Sequence, residues 1–356
     1  MALDTSNLVE LTMAICDIES VSGNEAALAD EVEKLLSGRK HLSVFRDGDA
    51  VVASTNLGRD SRVVLAGHLD TVPIANNLPT KLHHFEREQV IVGRGTVDMK
   101  AGVAVMLKLA VELTEPKFDV TWVFYDNEEV ASDLNGLGRL VRNQPELIKG
   151  DFAVLCEPTS ALIEGGCNGT IRIEVSATGK KAHSARPWMG ENAIHKLAPV
   201  LEKLASYQPE TLNVDGLEYR ESLNAVLAHA GIASNVIPDR ATLTVNYRFA
   251  PSRSGEEAES LMRAFFAGFE VVVTDLAVGA RPGLNTPQAQ AFIAAIGSEV
   301  KPKYGWTDVA RFSALGIPAV NYGPGDPSLA HADNENVPVG HLFDCEAGLR
   351  SWLRGN

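Results

Sequence analysis

Histidine and carboxylate residues are concentrated in five short segments, most of them where strands are expected to end. Together the segments hold two histidines and at least three carboxylates, which is the mixed nitrogen and oxygen inventory of a two-metal site. Such donors favour zinc, with cobalt or manganese as possible substitutes. The five segments are residues 67–73, 93–102, 126–129, 156–159 and 331–335.

Two of these segments indicate how a metal and a base could share one site. His68 and Asp70 are two residues apart, and such positions share one face of a strand. His68 could therefore bind a metal through one ring nitrogen while Asp70 fixes the tautomer through the other. Glu128 and Glu129 are adjacent carboxylates, so one can ligate while its neighbour stays free as a base. Each pair is also compatible with an ordinary turn, and Asp98 with a helix N-cap.

Two other classes of site find little support in the sequence. The glycines around residue 95 match neither G-x-G-x-x-G nor G-x-x-x-x-G-K-[ST], which weakens a phosphate-binding interpretation. The chain also lacks the G-x-S-x-G pattern of a nucleophilic serine on a sharp turn. A serine hydrolase is therefore a weaker hypothesis than a metal-dependent hydrolase.

A framework of alternating strands and helices must position these segments. In the first half of the chain, apolar strands alternate with helical patterns, which predicts an α/β fold with a mostly parallel central sheet. After Gly169 the expected order is β-α-β-β-α-β, the split or ferredoxin-like arrangement. We therefore expect a catalytic metal-binding domain of residues 1–169 and 283–356, interrupted by an inserted domain of residues 170–282. The expected helices include residues 99–113, 134–148 and 190–206, and the expected strands residues 50–54, 62–66, 120–125 and 151–156.

The composition is that of a globular protein with enough apolar residues for two cores. Of the 356 residues, 22% are charged and 45% hydrophobic, and the net charge is −14. An acidic chain without a basic run repels phosphate backbones, so we expect no nucleic-acid partner. We also expect no membrane span and no signal peptide, because no apolar stretch approaches about 20 residues and the N-terminus lacks a basic and apolar leader. The four scattered cysteines (Cys16, Cys156, Cys167 and Cys345) are typical of a reducing cytoplasm.

In this order the segments HLDTVP, GRGTVDMKAG, DNEE, CEPT and HADNE resemble the dizinc aminoacylase/carboxypeptidase family of metallopeptidases, the M20 group. The position of the inserted domain also agrees, so the resemblance covers nearly the whole chain. It implies an amide hydrolase with two Zn²⁺ ions per subunit, for which Co²⁺ is a possible substitute. It further implies a homodimer formed through the inserted domain, which would serve for dimerisation and as a lid.

The resemblance also implies a role for each residue that matches a family motif. Glu128 would be the general base, which takes a proton from the attacking water and returns it to the leaving amine. His183, in the segment KAHS, would stabilise the oxyanion in the active site of the partner subunit. The implied metal site consists of His68 and Glu157 at one ion, Glu129 and His331 at the other, Asp98 bridging both, and Asp70 orienting His68.

Two longer segments, GKKAHSARPWMGENAIHKL and KYGWTDVARFSALGIPAVNYGPGDP, carry a closer match within the family. In these segments the chain most resembles the succinyl-diaminopimelate desuccinylases, in their actinobacterial form. The implied reaction cleaves N-succinyl-L,L-2,6-diaminopimelate to succinate and L,L-diaminopimelate, a step of lysine and cell-wall biosynthesis. Arg248 is the first candidate to hold a substrate carboxylate, because arginine can form two parallel hydrogen bonds with it. The resemblance adds Asn235, Thr307 and Gly325 as contacts of the substrate.

One stretch departs from that pattern and keeps other substrates open. Many desuccinylases have a Gly-Arg-Arg-Gly-like stretch where this chain has Gly-Cys-Asn-Gly at residues 166–169. The nearest alternative is the same chemistry on N-acetylornithine, another N-acyl amino acid or a dipeptide. The alternatives from other classes are a non-catalytic binding protein that kept the fold and a structural or regulatory dimer. Both are less supported, since Glu128, Asp98 and both histidines are present.

Overall fold

Strands and helices alternate along most of the chain in the computed structural model, which describes residues 3–85 and 88–355. The expected outer limits of the catalytic domain, residues 1 and 356, lie outside the described residues. The same holds for residue 2, which belongs to the N-terminus that was expected to lack a signal peptide. The helices are α1 (Leu8–Asp17), α2 (Ala26–Ser37), α3 (Lys100–Glu112), α4 (Gly136–Asn143), α5 (Pro145–Ile148), α6 (Ala193–Lys196), α7 (Ala198–Ala205), α8 (Gly255–Phe265), α9 (Pro287–Ile296), α10 (Val309–Ala314) and α11 (Val339–Arg354). The strands are β1 (Ser43–Asp47), β2 (Ala50–Ser54), β3 (Arg62–His68), β4 (Lys81–Phe85), β5 (Glu88–Val92), β6 (Asp119–Tyr125), β7 (Phe152–Leu155), β8 (Ile163–Gly165), β9 (Gly169–Thr178), β10 (Ala182–His183), β11 (Thr211–Val214), β12 (Leu217–Arg220), β13 (Ser222–Ala230), β14 (Val236–Ile237), β15 (Arg240–Phe249), β16 (Glu270–Ala277), β17 (Val300–Pro302), β18 (Ala319–Asn321) and β19 (Asn336–Pro338).

The chain divides into two compact units. The second unit consists of Gly166–Pro282 and Pro302–Ala310, and the other described residues form the first unit. The segment Pro302–Ala310 differs from the expectation that all of residues 283–356 belong with the catalytic domain.

Hydrogen bonds explain why this returning segment belongs to the second unit. The backbone N–H of Asn168 donates to the carbonyl oxygen of Lys303 at 3.2 Å. The indole N–H of Trp306 donates to the carbonyl oxygen of Val278 at 3.0 Å. The sequence pattern carries no information on such long-range bonds, so it cannot separate Pro302–Ala310 from the rest of residues 283–356.

An eight-stranded mixed sheet forms the centre of the first unit. Its strand order is β1-β2-β6-β3-β7-β18-β8-β17. The inner strands β6, β3, β7 and β18 are parallel, whereas β1, β2 and β8 form antiparallel pairs. The expectation of a mostly parallel sheet therefore holds only for the centre. Only Gly48 and Asp49 separate β1 from β2, and so short a connection permits only an antiparallel pair.

The inner strands bring their carboxyl ends to one level of the sheet. All seven residues of β6 are buried, as expected for a strand covered on both faces. In the register of the sheet, His68 of β3 lies opposite Tyr125 of β6, and Ala66 lies opposite Leu155 of β7. Residues that directly follow these strands therefore start from neighbouring points, as ligand-binding residues of α/β sheets do.

The second unit contains a four-stranded antiparallel sheet of order β13-β15-β9-β16. Along the chain its elements follow as β9, α6 with α7, β13, β15, α8 and β16. Ile171, Ile173 and Val175 of β9 alternate with less buried residues, and these three belong to one apolar cluster with residues of α7 and α8. The unit also contains the hairpin of β11 and β12, which the sequence analysis did not predict.

Prolines divide two of the helices that were expected to be continuous. The expected helix 134–148 is α4 and α5, with Pro145 at the start of α5. The expected helix 190–206 is α6 and α7, with a proline in the first turn of α7. A proline lacks the backbone N–H that a continuing helix needs and disfavours helical geometry in the residue before it. None of the helices in residues 3–85 and 88–355 has the length and apolarity to cross a membrane.

Candidate active site

Two histidines and three carboxylates of the first unit meet where the parallel strands end. β3 ends at His68, the turn after β6 carries Glu128 and Glu129, and Glu157 follows β7 by two residues. Asp98 precedes α3, and its carboxylate lies within hydrogen-bond distance of both histidines. The second histidine, His331, lies between β18 and β19.

His68 is almost fully buried and has carboxylates on both sides of its ring. Its Nδ1 lies 3.0 Å from the carbonyl oxygen of Asp70 and 3.5 Å from Oδ1 of the same residue. The carbonyl oxygen is the acceptor for Nδ1–H, and Nε2 faces the other side of the ring. There Nε2 lies 3.1 Å from Oδ1 of Asp98 and 4.0 Å from Oε1 of Glu157. His68 is thus held in the orientation that a metal ligand requires.

The carboxylate of Asp70 also holds the turn that carries the two glutamates. It accepts hydrogen bonds from the backbone N–H groups of Glu128 at 2.9 Å and Glu129 at 3.1 Å. It accepts a third from the hydroxyl of Ser22 at 2.7 Å, and it is fully buried. These bonds are shorter than the 3.5 Å between its Oδ1 and His68, so Asp70 fixes the turn at least as firmly as the imidazole.

Asp98 lies between the two histidines. Its Oδ1 is 3.1 Å from Nε2 of His68, and its Oδ2 is 3.3 Å from Nε2 of His331. The same His331 nitrogen is 3.0 Å from Oε1 of Glu129. A carboxylate that shares its two oxygens between two histidines has the arrangement expected of a ligand that bridges two ions.

Electrostatic coupling among these groups is strong. Bonds with Asp98 and Glu129 raise the pKa of His331 to about 10. Burial opposes the charged form of His68, but Asp70 and Asp98 overcome it and hold the pKa of that imidazole well above its ordinary value. Burial likewise opposes ionisation of Asp98, yet the two histidines hold its pKa far below the ordinary range. These pKa shifts favour the protonated imidazole of both histidines and the ionised carboxylate of Asp98.

This donor set fits a zinc-type metal site. His68, Asp98 and Glu129 each offer a ligand atom, and these atoms all lie within 4.8 Å of one another. Imidazole nitrogen and carboxylate oxygen are ligands that zinc accepts. Protons on the imidazole nitrogens would compete with such a cation, because metals and protons bind the same ligand atoms.

Two buried charged residues of this region were not identified from the sequence. Glu335 and Arg94 lie inside two of the quoted motifs but received no role. The carboxylate of Glu335 accepts from the backbone N–H groups of Val97 at 2.8 Å and Asp98 at 3.1 Å. Arg94 donates to the other oxygen of Glu335 at 2.9 Å. The burial of two charged residues was their only distinguishing property, and burial is not visible in a motif.

The candidate substrate residues of the second unit form two groups. His183 and Asn235 are close together, because β10 pairs with β14 and the N–H of Ser184 donates to the carbonyl oxygen of Asn235 at 2.9 Å. Both residues are exposed. Arg248 lies on β15, half-buried, with its Nε donating to the side-chain oxygen of Asn246 at 3.0 Å.

Arg248 has the properties of an anion-binding residue. No carboxylate in the described part of the chain forms an ion pair with its guanidinium. Burial and the neighbouring Arg172 lower the pKa of Arg248 from its ordinary value. A half-buried cation beside another cation gains from an anionic ligand, such as a carboxylate.

Thr307 and Gly325 fall in different units. Thr307 is buried in the returning segment of the second unit, where its carbonyl oxygen is 3.7 Å from the sulfur of Cys167. Gly325 belongs to the first unit and has a φ of +95°. A Cβ at Gly325 would lie 3.2 Å from a methyl group of Val97, which directly precedes Asp98. A side chain there would therefore press on the segment that carries Asp98.

Two named bacterial proteins are similar in sequence to this chain over nearly its whole length. A protein of Mycobacterium tuberculosis, provisionally named as a succinyl-diaminopimelate desuccinylase, is 53% identical over 350 residues, covering 98% of this chain and 98% of its own. The succinyl-diaminopimelate desuccinylase of Corynebacterium glutamicum is 48% identical over 356 residues, covering 97% of this chain and 95% of its own.

Solved structures support the fold at much lower identity. A tripeptidase from Staphylococcus aureus superposes with a TM-score of 0.79 at 21% identity, covering 99% of both chains. An M20 family metallo-carboxypeptidase from Sulfolobus solfataricus gives 0.77 at 17% identity, covering 98% of this chain and 99% of its own. Residues 64–354 match the description Peptidase family M20/M25/M40. With its histidines and carboxylates at the strand ends of that fold, the chain belongs to peptidase family M20/M25/M40.

Proposed function

We propose that the protein hydrolyses the amide bond of N-succinyl-L,L-2,6-diaminopimelate, giving succinate and L,L-diaminopimelate. The observation that carries this proposal is the near full-length similarity to the M. tuberculosis and C. glutamicum proteins, at 53% and 48% identity. The geometry of the first unit supports the chemistry, because two histidines and several carboxylates converge around Asp98.

Two Zn²⁺ ions per subunit are part of the proposal, with Co²⁺ as a possible substitute. His68 and Glu157 would hold one ion, Glu129 and His331 the other, and Asp98 both. When bound, such ions supply a Lewis acid for the amide carbonyl oxygen and lower the pKa of a water molecule. Asp70 would keep the Nε2 of His68 directed at the site, as its two contacts with Nδ1 indicate.

Glu128 is the general base of this proposal. Its backbone N–H is held by Asp70 at 2.9 Å, so the start of its side chain is fixed. Glu128 would accept a proton as the water oxygen bonds to the amide carbon. It would then deliver that proton to the nitrogen as the carbon–nitrogen bond breaks, so that the amine leaves neutral. The other hydrogen of the water stays on the new carboxyl group of succinate, which then loses it as a proton to the solvent.

The second unit is proposed to complete the site in a homodimer. Its strand order and the helices between its strands support a ferredoxin-like arrangement for this unit. His183 would stabilise the oxyanion of the partner subunit's substrate, with Asn235 beside it. The imidazole of His183 is exposed, and its Nδ1 accepts from the backbone N–H of Ala185 at 3.1 Å, which supports a role outside its own unit.

Substrate recognition would rest on carboxylate contacts. The substrate has three carboxylates, and Arg248 is a half-buried guanidinium that forms no ion pair with a carboxylate of residues 3–85 and 88–355. Thr307 and Gly325 are further candidate contacts of the substrate, as the family resemblance implies. We also propose a cytoplasmic location, which the four free and buried cysteines support.

A substrate comparison tests the proposal. The protein would be stripped with a chelator, reloaded with zinc, and assayed with N-succinyl-L,L-diaminopimelate and N-acetylornithine in parallel. Zinc-dependent turnover with a higher kcat/KM for the succinyl compound is the expected result. A preference for the acetyl compound would keep the chemistry but reject the substrate. Zinc binding without turnover of either compound would contradict the proposed activity.

A further inference from the structure

A buried ion pair, Arg94 with Glu335, lies directly behind the segment that carries Asp98. Arg94 is 3% exposed and Glu335 is 1% exposed. The Nη1 of Arg94 lies 2.9 Å from Oε2 of Glu335. The two residues are 241 positions apart in the chain, so the pair closes a long-range contact inside the first unit.

The carboxylate of Glu335 is bonded to the backbone on either side of Val97. Its Oε1 accepts from the N–H of Val97 at 2.8 Å and from the N–H of Asp98 at 3.1 Å. Its own backbone carbonyl accepts from the N–H of Gly93 at 3.0 Å. One glutamate therefore holds the start and the end of the segment that leads to Asp98.

Arg94 extends this link to two other segments of the metal site. Its Nε donates to the carbonyl oxygen of Pro73 at 3.1 Å, three residues beyond Asp70. Its Nη1 also donates to the carbonyl oxygen of Ala332 at 3.2 Å, and Ala332 directly follows His331. The rigid guanidinium thereby ties together the segments on which His68, Asp98 and His331 depend.

A contribution to stability alone does not explain this arrangement. A buried ion pair is often no more stable than apolar residues of similar volume, because both charges must leave water. The bonds of this pair end on backbone groups next to metal-ligand candidates, at distances of 2.8–3.2 Å. Hydrogen-bond partners behind metal ligands commonly set their orientation and the affinity of the site.

We propose that the Arg94–Glu335 pair is a positioning element that sets the Asp98 carboxylate between His68 and His331 and thereby sets the zinc affinity of the site. This inference rests on the proposed metal site but does not depend on the identity of the substrate. Neither residue touches the reacting atoms in this scheme. Their effect is carried by the backbone of residues 97 and 98.

The test compares Glu335→Gln with a matched control in the full-length protein. The control is Asp119→Asn, because Asp119 is also a buried carboxylate of the first unit that accepts from backbone N–H groups, those of Leu57, Gly58 and Arg59. Asp119 begins β6, whereas Glu128 lies beyond its other end. Zinc affinity would be measured by competition with a chromophoric chelator, and the ligand field by the visible spectrum of the Co²⁺-loaded protein.

Glu335→Gln is expected to weaken zinc binding about 10- to 100-fold and to shift the Co²⁺ absorption bands. Asp119→Asn is expected to lower the free energy of unfolding while zinc affinity and spectrum stay as in the unmodified protein. Arg94→Lys keeps the charge beside Glu335 but cannot reproduce the bonds to both carbonyls, so its zinc affinity should fall less than that of Glu335→Gln. It also provides the measurement if Glu335→Gln does not fold.

Unchanged zinc affinity and an unchanged Co²⁺ spectrum in both Glu335→Gln and Arg94→Lys would overturn the inference and leave the pair a purely structural role. Equal losses of affinity in Asp119→Asn would also overturn it, since the effect would then be general destabilisation. Failure of the unmodified protein to bind zinc would instead refute the proposed metal site. The two failures are therefore distinguishable.

Discussion

Replacement of Asp70 by asparagine separates two functions that meet in one carboxylate. Asp70→Asn keeps the shape of the side chain but removes its charge and turns one acceptor oxygen into a donor. The present acceptors serve Ser22, Glu128 and Glu129 at 2.7, 2.9 and 3.1 Å. Whichever way the amide turns, at least one backbone N–H of the turn loses its partner.

The cost can be worked from these bonds. An unsatisfied buried N–H costs about 1–3 kcal/mol, and the remaining bonds lose the extra strength of a charged acceptor, about 1 kcal/mol. We therefore expect the free energy of unfolding to fall by about 2–4 kcal/mol. The burial of Asp70 places it near the upper end, because no water can replace the lost acceptor.

Asp70→Asn should reduce turnover more than it reduces zinc affinity. The carbonyl oxygen of Asp70 accepts from Nδ1 of His68 at 3.0 Å and stays in the variant, so the tautomer of His68 is retained. Zinc affinity should then fall by about tenfold, the low end for residues behind a metal ligand. The turn that carries Glu128 loses its anchor, and a displacement of about 1 Å can reduce turnover about 100-fold.

The assay measures kcat at saturating zinc, zinc affinity by chelator competition, and unfolding by urea. Ser22→Ala is the matched control, because it removes one neutral donor to the same carboxylate and leaves the charge and both backbone bonds. It should cost about 1 kcal/mol and change kcat little. A large loss of zinc affinity with kcat unchanged at saturating zinc would refute this division of roles.

Three further changes test other parts of the site. Glu128→Ala should keep the zinc stoichiometry and lower kcat by about 100- to 10,000-fold, the usual contribution of a general base; substantial residual turnover would exclude that role. Arg248→Ala should raise KM for the succinyl substrate about 10- to 100-fold, because a hydrogen bond to a charged group contributes about 1.5–3 kcal/mol. Arg240→Ala, at an exposed position of the same strand, is the control and should leave KM unchanged. Zinc uptake should release protons, because the pKa of His331 is about 10 without metal and a ligand histidine must be neutral. Zinc affinity should therefore rise with pH between 6 and 8, by up to about tenfold per pH unit for each proton displaced. Calorimetry in buffers of different ionisation enthalpy measures the proton release, and an observed binding enthalpy that does not depend on the buffer would contradict the interpretation.

An uninterrupted run of apolar residues was enough to predict a strand that is buried along its whole length. The apolar run before Asp126 is β6, all of whose seven residues are buried, and its limits lie within a residue of those expected. The hairpin of β11 and β12 was missed although Asp215 and Gly216 stand between the two strands. Both have positive φ, 51° and 93°, which is the geometry of the tight turn that Asp-Gly favours. That signal was present in the sequence.

Other differences depend on contacts that no local pattern encodes. The antiparallel pairs at the two sides of the central sheet are β1 with β2 and β18 with β8. The first follows from a short connection, whereas the second depends on which strands pack side by side. The assignment of Pro302–Ala310 to the second unit depends on hydrogen bonds to residues far away in the chain. For the site, the ligand candidates were recognisable because their side chains are chemically distinctive and follow strands. Arg94 and Glu335 were not, because their importance comes from a pairing across 241 positions.

The sharing of Asp98 between His68 and His331 has a consequence for the order in which the protein is assembled. Raised pKa values favour a proton on each imidazole, and those two positive charges offset part of the negative charge of the acids before any ion arrives. The first unit also has an extensive apolar core, so its fold should depend less on the ions than that of a zinc finger, which is unfolded without its metal. Scarcity of metal would then leave a reserve of folded, inactive molecules that new ions can activate without further synthesis.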